Sequence, residues 1–208
     1  MIHEIMETGP LMVNCQILGD KKSGQAVLID PGGDAPKILA RLKRLGLKPT
    51  HIVNTHAHFD HLGGVAELQQ ATGCEFWIHE AERSLVEQAP VHARFWGMPF
   101  GPVPHIDRTI HDGETLSFSG FALEVILTPG HSPGGVCLRW NDDMAVGDTV
   151  FAGSIGRTDL PGGNYDQLIH SIKSRLLPLP DGLKCHPGHG PSTTIGRERV
   201  TNPFFGNG

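Results

Sequence analysis

The chain has 208 residues, with 17 Lys and Arg against 22 Asp and Glu, which gives a formal net charge of −5. Charged residues make up 19% of the chain and form no basic stripe, which argues against a nucleic-acid surface, and a hydrophobic content of 38% excludes a disordered chain on compositional grounds. The 13 histidines stand beside a single tyrosine and point to metal chemistry.

The first half of the chain is predicted to alternate strands and helices. The polar turn 20–24 lies between two apolar runs, which indicates a hairpin. Apolar residues at helical spacing predict a helix over 35–46, where Gly46 ends it. The next predicted elements are a strand at 51–55, a helix at 61–71, a strand at 75–79 and a short helix at 80–88.

Residues 89–105 are rich in proline and aromatic residues without a period, so we predict a loop that covers a site or packs against another copy. The second half then repeats the pattern of the first half. Its predicted elements are strands at 115–118, 121–127, 134–140 and 143–147, a helix at about 164–176, a strand near 182–186 and a last helix around 195–201. Two similar halves without a linker predict one α/β domain over 1–208, with two packed sheets and helices outside.

Cellular location is read from the chain start, the apolar runs and the cysteines. The first ten residues contain acids and no apolar core, unlike a secretory signal, and no apolar run approaches the roughly 20 residues that span a bilayer. The four cysteines are far apart and form no CxxC pair, which favours reduced, buried thiols. We therefore expect a cytoplasmic protein with no membrane partner and no nucleic-acid partner.

The strongest chemical signal is the segment 56–61, which reads His-Ala-His-Phe-Asp-His. In an extended segment, positions i and i+2 share a side, so His56 and His58 can hold one ion together. Asp60 and His61, at the start of the next predicted helix, turn towards a second point. Imidazoles and carboxylates in this arrangement predict a site for Zn, Fe or Mn.

Three further candidate ligands follow predicted strands later in the chain. His131 lies in the segment 128–135, Asp148 ends the run 145–148, and His189 lies in the segment 186–190. Glycines beside these residues let the backbone bend sharply, so that the side chain can reach an ion. Taken singly, each residue also fits an ordinary turn.

Taken together, the type and order of these segments resemble the metallo-β-lactamase superfamily over nearly the whole chain. The resemblance implies an αββα four-layer sandwich with a site for two divalent metal ions, for which we expect Zn, with Fe or Mn as alternatives. The implied ligands are His56, His58 and His131 for the first metal, Asp60, His61 and His189 for the second, and Asp148 between both, while Asp30 orients the ligand loop.

Within that superfamily the flanking segments resemble the glyoxalase II (hydroxyacylglutathione hydrolase) branch in its short, single-domain bacterial form. The segments that carry this resemblance are 128–135, 147–149, 156–159 and 187–192. The two-domain enzymes of that branch add a C-terminal helical domain that helps to hold glutathione, and this chain shows no such domain. Their tyrosine after the bridging aspartate also has no match here, where Arg157 takes a comparable place.

The resemblance implies hydrolysis of thioesters such as S-lactoylglutathione to the free acid and glutathione, by a hydroxide that bridges the two metals. Asp60 and Asp148 would be the catalytic carboxylates. A thiol leaves readily as thiolate because its pKa is about 8.5, so no strong protein acid is needed. We expect Arg157 to contact the glutathione thioester, with a structural ion pair as the competing interpretation, and a monomer or homodimer.

Several alternatives share parts of this pattern. A glutathione persulfide dioxygenase of the same superfamily has the Gly-Arg-Thr-Asp stretch and one iron held by two His and one Asp, whereas the segment around His189 has the hydrolase form. The commoner dinuclear β-lactamases use a cysteine at the second metal, which the segments around His131 and Asp148 lack. Nucleases of the superfamily usually add a large domain. A non-catalytic metal-binding protein would have a closed site.

Overall fold

The first half of the chain forms a six-stranded mixed sheet in the computed structural model, which describes residues 1–205. The first three strands pair antiparallel and the last three join in parallel. In spatial order, which is also chain order, they are β1 (Ile2–Thr8), β2 (Val13–Asp20), β3 (Gln25–Ile29), β4 (Lys48–Val53), β5 (Glu75–His79) and β6 (Arg108–Ile110).

The second half forms another six-stranded sheet, with the spatial order β14-β13-β10-β9-β8-β7. Its strands are β7 (Thr115–Phe118), β8 (Phe121–Leu127), β9 (Val136–Trp140), β10 (Asp143–Gly147), β13 (Lys184–Pro187) and β14 (Thr193–Thr194). A small separate hairpin consists of β11 (Val150–Phe151) and β12 (Ser154–Ile155). Since β10 and β13 run parallel, the loops that follow them leave the sheet at the same edge.

Helices connect the strands in both halves. They are α1 (Ala35–Leu45), α2 (Phe59–Leu62), α3 (Val65–Thr72), α4 (Arg83–Phe95), α5 (Tyr165–Ser171) and α6 (Ile195–Thr201). A 3-10 turn at Glu80–Glu82 precedes α4, and a π-helical turn at Ile172–Leu176 extends α5. None of the helices between residues 1 and 205 is both long enough and apolar enough to cross a membrane.

Three apolar cores separate four layers. On β2, Ile17 packs with the helices of the first half, whereas its neighbour Leu18 packs between the two sheets, as the period of two in a strand requires. Val136 and Leu138 enter that central core from the second sheet. A third core joins the outer face of the second sheet to α5 and α6. The expected αββα sandwich is therefore confirmed.

Two predicted elements differ from those in the structure. The helix expected over 61–71 is divided into α2 and α3 at Gly63 and Gly64, where the backbone N–H of Gly64 donates outside the helix to the Pro31 carbonyl oxygen at 2.8 Å. The predicted loop 89–105 begins instead as helix, since α4 continues to Phe95 with Pro90 inside it. Buried Ala89 and Ala93 pack this part of α4, and small side chains of this kind give a weak periodic signal.

Candidate metal centre

The predicted ligands come together from five loops, each of which follows a strand. Asp30 follows β3, the segment 56–61 follows β4, His131 follows β8, Asp148 follows β10 and His189 follows β13. Parallel pairing of β3 with β4, and of β10 with β13, brings the loops after each pair to one edge of its sheet. The sheets thus assemble side chains that are far apart in sequence.

His56, His58 and His131 form a first group of imidazoles whose ring nitrogens point at one another. His131 Nε2 lies 2.8 Å from His58 Nδ1 and 3.3 Å from His56 Nε2. All three residues are buried. Burial lowers the pKa of each ring, and that of His58 falls to about 3. Neutral rings with converging lone pairs are the form that binds a metal ion.

Asp60, His61 and His189 form a second group beside the first one. His189 Nε2 lies 3.3 Å from Asp60 Oδ2, and His61 Nε2 lies 3.9 Å from the same oxygen. Burial opposes charge on His61, but the carboxylates of Asp148, Asp60 and Asp30 outweigh burial and raise its pKa to about 10. Burial likewise opposes charge on Asp60, yet His61 and His189 lower its pKa. The pocket therefore carries the negative field that suits a cation.

Asp148 lies between the two groups. Its Oδ2 atom is 3.6 Å from His131 Nε2 and 3.7 Å from His189 Nε2, while its Oδ1 atom is 3.5 Å from His61 Nε2. That Oδ1 atom is buried and makes no hydrogen bond within the part of the chain that is described. The donor set of His and Asp side chains fits divalent Zn, Fe or Mn. A carboxylate that faces both groups is placed to be shared by two ions.

Asp30 is held in a different way from the other acidic residues. The backbone N–H and the hydroxyl of Thr55 donate to its two oxygens at 2.7 and 2.6 Å, and His61 Nδ1 lies 3.1 Å from Oδ2. Thr55 immediately precedes His56. Asp30 thus fixes the start of the ligand segment and the orientation of the His61 ring, which is the role that the sequence suggests.

Asn14 on β2 supports the loop that carries His189, a role that the sequence analysis misses. Its amide nitrogen donates to the carbonyl oxygens of Pro187 and Gly190 at 2.9 and 2.8 Å, and its backbone N–H donates to the Gly188 carbonyl at 2.7 Å. Pro187 and Gly190 lie 173 and 176 residues from Asn14 along the chain. No local pattern around Asn14 indicates this contact.

Glu82 is a second supporting residue that the sequence analysis misses. It is fully buried and accepts the backbone N–H of Ala57 at 2.7 Å and that of Gly134 at 2.6 Å. Burial raises the pKa of this carboxyl group, against the lowering effect of both backbone donors. One carboxylate therefore ties the segment of His56 and His58 to the segment of His131.

Arg157 lies at the same site in an ion pair. Its guanidinium donates to both carboxylate oxygens of Asp159 at 2.7 Å each and lies 5.5 Å from the centre of the Trp96 ring. The Arg157 carbonyl oxygen is also 2.7 Å from His131 Nδ1, so it receives the proton of that ring and leaves Nε2 free. Arg157 is thus paired with Asp159, and its backbone carbonyl also supports His131.

A cavity of about 800 Å³ opens above the candidate metal ligands. His58, Asp60, His131, Asp148 and His189 all line it, so a molecule in the cavity lies against both groups. Aromatic and aliphatic residues of α4 and of the hairpin β11-β12 form much of the remaining wall. Concave, mostly apolar sites with a few converging polar groups are typical of small-molecule binding.

Comparison with known proteins agrees with this geometry. A sequence profile of the metallo-beta-lactamase superfamily matches residues 8–189. The hydroxyacylglutathione hydrolase GloC of Haemophilus influenzae is 38% identical over 206 residues, which cover 97% of each chain. The structure of BLEG-1 B3 metallo-beta-lactamase is similar with a TM-score of 0.91 and 37% identity, and the match covers 98% of this chain and 99% of that one. A di-iron-bound form of TTHA1623 gives a TM-score of 0.89 and 41% identity, over 97% and 100% of the two chains.

Proposed function

The chain belongs to the metallo-beta-lactamase superfamily, and from this premise we propose that it hydrolyses thioesters such as S-lactoylglutathione to the free acid and the thiol. The observation that carries the proposal is the position of Asp148 between two groups of buried His and Asp ligands at the floor of a cavity. A relative named as a hydroxyacylglutathione hydrolase, 38% identical over nearly the whole chain, supports the choice of substrate class.

In this proposal two divalent ions are held by the side chains named above. The first would be held by His56, His58 and His131 and the second by Asp60, His61 and His189, and Asp148, which faces both groups, would contribute to both sites. Divalent ions of this kind supply a water nucleophile at neutral pH and polarise a carbonyl oxygen. Zn is the proposed metal, and the same ligands accept Fe or Mn.

The side chains of the cavity then have separate tasks. Asp60 faces the cavity and accepts a hydrogen bond from the attacking water, which orients the water towards the thioester carbonyl. The thiol departs as thiolate because its pKa is about 8.5, so the site needs no strong acid beside the sulfur atom. Arg157 contacts the substrate as part of the cavity wall.

The experiment compares the purified protein with its Asp148→Ala variant. We expect Asp148→Ala to lose metal from both groups and to reduce kcat/KM for S-lactoylglutathione by at least about a hundredfold, since even residues that only support a ligand cost ten- to a hundredfold. Elemental analysis and thioester hydrolysis measure the two effects. The matched control is Asp142→Ala, at an exposed position just before β10, the strand that Asp148 follows. Normal turnover by Asp148→Ala would refute the shared ligand.

A second candidate is β-lactam hydrolysis, because a solved structure that is 37% identical to this chain is described as a B3 metallo-beta-lactamase. A chromogenic cephalosporin tests it in the same preparation. The dioxygenase alternative requires one iron per chain and oxygen uptake with glutathione persulfide. Turnover of only one of these substrates decides between the three activities.

A further inference from the structure

The cavity above the metal ligands has an apolar wall that reaches the surface. Val91, Phe95 and Trp96, at the end of α4, line the cavity and are also exposed, with 89% of Phe95 accessible to solvent. Phe151, Ile155 and Leu160 line it as well. Exposed apolar surface that continues into a cavity is a feature of small-molecule binding sites and of contacts between proteins.

The charged side chains described in the cavity leave no unpaired cation for the carboxylates of a thiol such as glutathione. Among the described residues that line the cavity, Arg157 is the one that is always positively charged, and Asp159 neutralises it through two hydrogen bonds of 2.7 Å. Glutathione carries two carboxylates and one ammonium group, and a carboxylate that is removed from water needs an unpaired cation or donor. At the end of α4, the cavity wall instead consists of the apolar side chains of Val91, Phe95 and Trp96.

We infer that the preferred substrate of this site is a thioester with a bulky apolar acyl group, which packs against Val91, Phe95 and Trp96, on a thiol whose charge the cavity does not recognise. The inference rests on the proposed thioester hydrolysis and names its substrate class. Water adds across the C–S bond to give a carboxylic acid and a thiol, so the reaction needs no other reactant.

The test measures kcat/KM of the metal-loaded protein for acetyl, lactoyl, hexanoyl and octanoyl thioesters, each made with glutathione and with the neutral thiol N-acetylcysteamine. We expect kcat/KM to rise about two- to fourfold for each buried methylene. The two thiols should differ by less than about threefold for the same acyl group. A maximum at S-lactoylglutathione would contradict the inference and leave thioester hydrolysis in place.

Substitutions in the apolar cavity wall test whether this wall causes the dependence of kcat/KM on acyl chain length. Phe95→Ala should flatten the rise from acetyl to octanoyl, whereas Val200→Ala, which removes an exposed apolar side chain of α6 outside the cavity lining, should keep it. If Phe95→Ala instead converts a dimer to a monomer by light scattering and keeps the full chain-length dependence, this surface joins two copies of the chain and the inference is wrong.

Binding gives a readout that does not depend on turnover. An octyl thioether of N-acetylcysteamine cannot be hydrolysed, and its binding to the loaded protein should change the fluorescence of Trp96, a change that Trp96→Phe removes. We expect the octyl thioether to bind at least about tenfold more tightly than the ethyl thioether, because of the apolar area that it buries. If no thioester is hydrolysed, the proposed function fails and the substrate class fails with it. If thioesters are hydrolysed but the two thioethers bind with equal affinity, the proposed function stands and the apolar acyl preference is refuted.

A variant of the ion pair between Arg157 and Asp159 tests whether an unpaired cation improves activity on glutathione thioesters. Asp159→Asn leaves the guanidinium of Arg157 without its carboxylate partner. We expect this variant to raise kcat/KM for glutathione thioesters relative to N-acetylcysteamine thioesters by up to about fivefold, which corresponds to the upper end of the range for one exposed ion pair. An unchanged ratio would show that Asp159 does not set the thiol preference, against the inference.

Discussion

Gly188, the residue before His189, allows two ligand loops to approach each other closely. A Cβ atom at this position would stand 2.3 Å from Asp148 Oδ1 and 2.5 Å from His61 Cε1. Both distances are far below van der Waals contact, and both neighbours are candidate ligands that cannot move without leaving their places. The absence of a side chain here is therefore a requirement of the site.

We expect Gly188→Ala to lower metal content per chain and to reduce kcat/KM for thioesters at least about a hundredfold, because the added methyl group displaces Asp148 and His61. Elemental analysis and kinetics measure both effects. Gly182→Ala is the matched control, since a Cβ atom there has no atom within 4 Å. Full metal occupancy in Gly188→Ala would contradict the conclusion that the site requires glycine at this position.

At the scale of elements, the 3-10 turn before α4 connects the segment that carries His56 and His58 to the segment that carries His131. Glu82 at the end of this turn accepts one N–H from the segment after β4 and one from the segment after β8. Because a carboxylate has two acceptor oxygens and no donor, it is the side chain that satisfies two buried N–H groups at once. This turn sets the distance between the His56–His58 pair and His131.

We expect Glu82→Gln to lower the free energy of unfolding by about 1–3 kcal/mol, since the new amide group can accept only one of the two N–H groups and leaves the other buried without a partner. Metal affinity should fall by about ten- to a hundredfold. Denaturant titration and competition with a chelator measure these changes. Glu87→Gln, on the exposed side of α4, should show neither effect. Equal stability of Glu82→Gln and the wild type would refute the link.

At the scale of the whole molecule, the packing of the two sheets also partly buries a titratable ring away from the candidate metal ligands. His51 on β4 lies with its ring centre 4.5 Å from that of Trp77 and 5.0 Å from that of Phe118, and these two rings come from different sheets. Burial lowers the pKa of His51, and Arg108 adds to the lowering while Glu75 opposes it. The sandwich therefore prefers this imidazole in its neutral form.

We expect the metal-free protein to lose stability as the pH falls below about 7, and His51→Phe to lose less. A histidine with a lowered folded pKa binds more protons in the unfolded chain, so the free energy of unfolding falls as the pH drops through the unfolded pKa near 6.5. The difference between wild type and variant should be at most about 1.4 kcal/mol per pH unit. Denaturant titrations between pH 5 and 8 measure it, with His170→Phe at an exposed position as the control. Parallel pH curves for wild type and His51→Phe would contradict the role of burial.

The sequence alone determined the features that depend on short spacings. His56 and His58 share one side of an extended segment whatever surrounds them, and the apolar period of 35–45 defines α1 without help from other elements. The two similar halves also predicted the sandwich. The His56–His58 pair and α1 were predictable because the cause of each lies within a few residues, and the sandwich was predictable because the same succession of strands and helices occurs twice.

Only the tertiary structure decided which distant groups meet. The bonds of Asn14 to the His189 loop, of Glu82 to both ligand segments, and of the Arg157 carbonyl oxygen to the His131 ring depend on how two sheets and their loops pack. The extension of α4 past Pro90 likewise depends on what Ala89 and Ala93 pack against. Such contacts follow from strand register and loop closure, which are properties of the whole chain and not of any short segment.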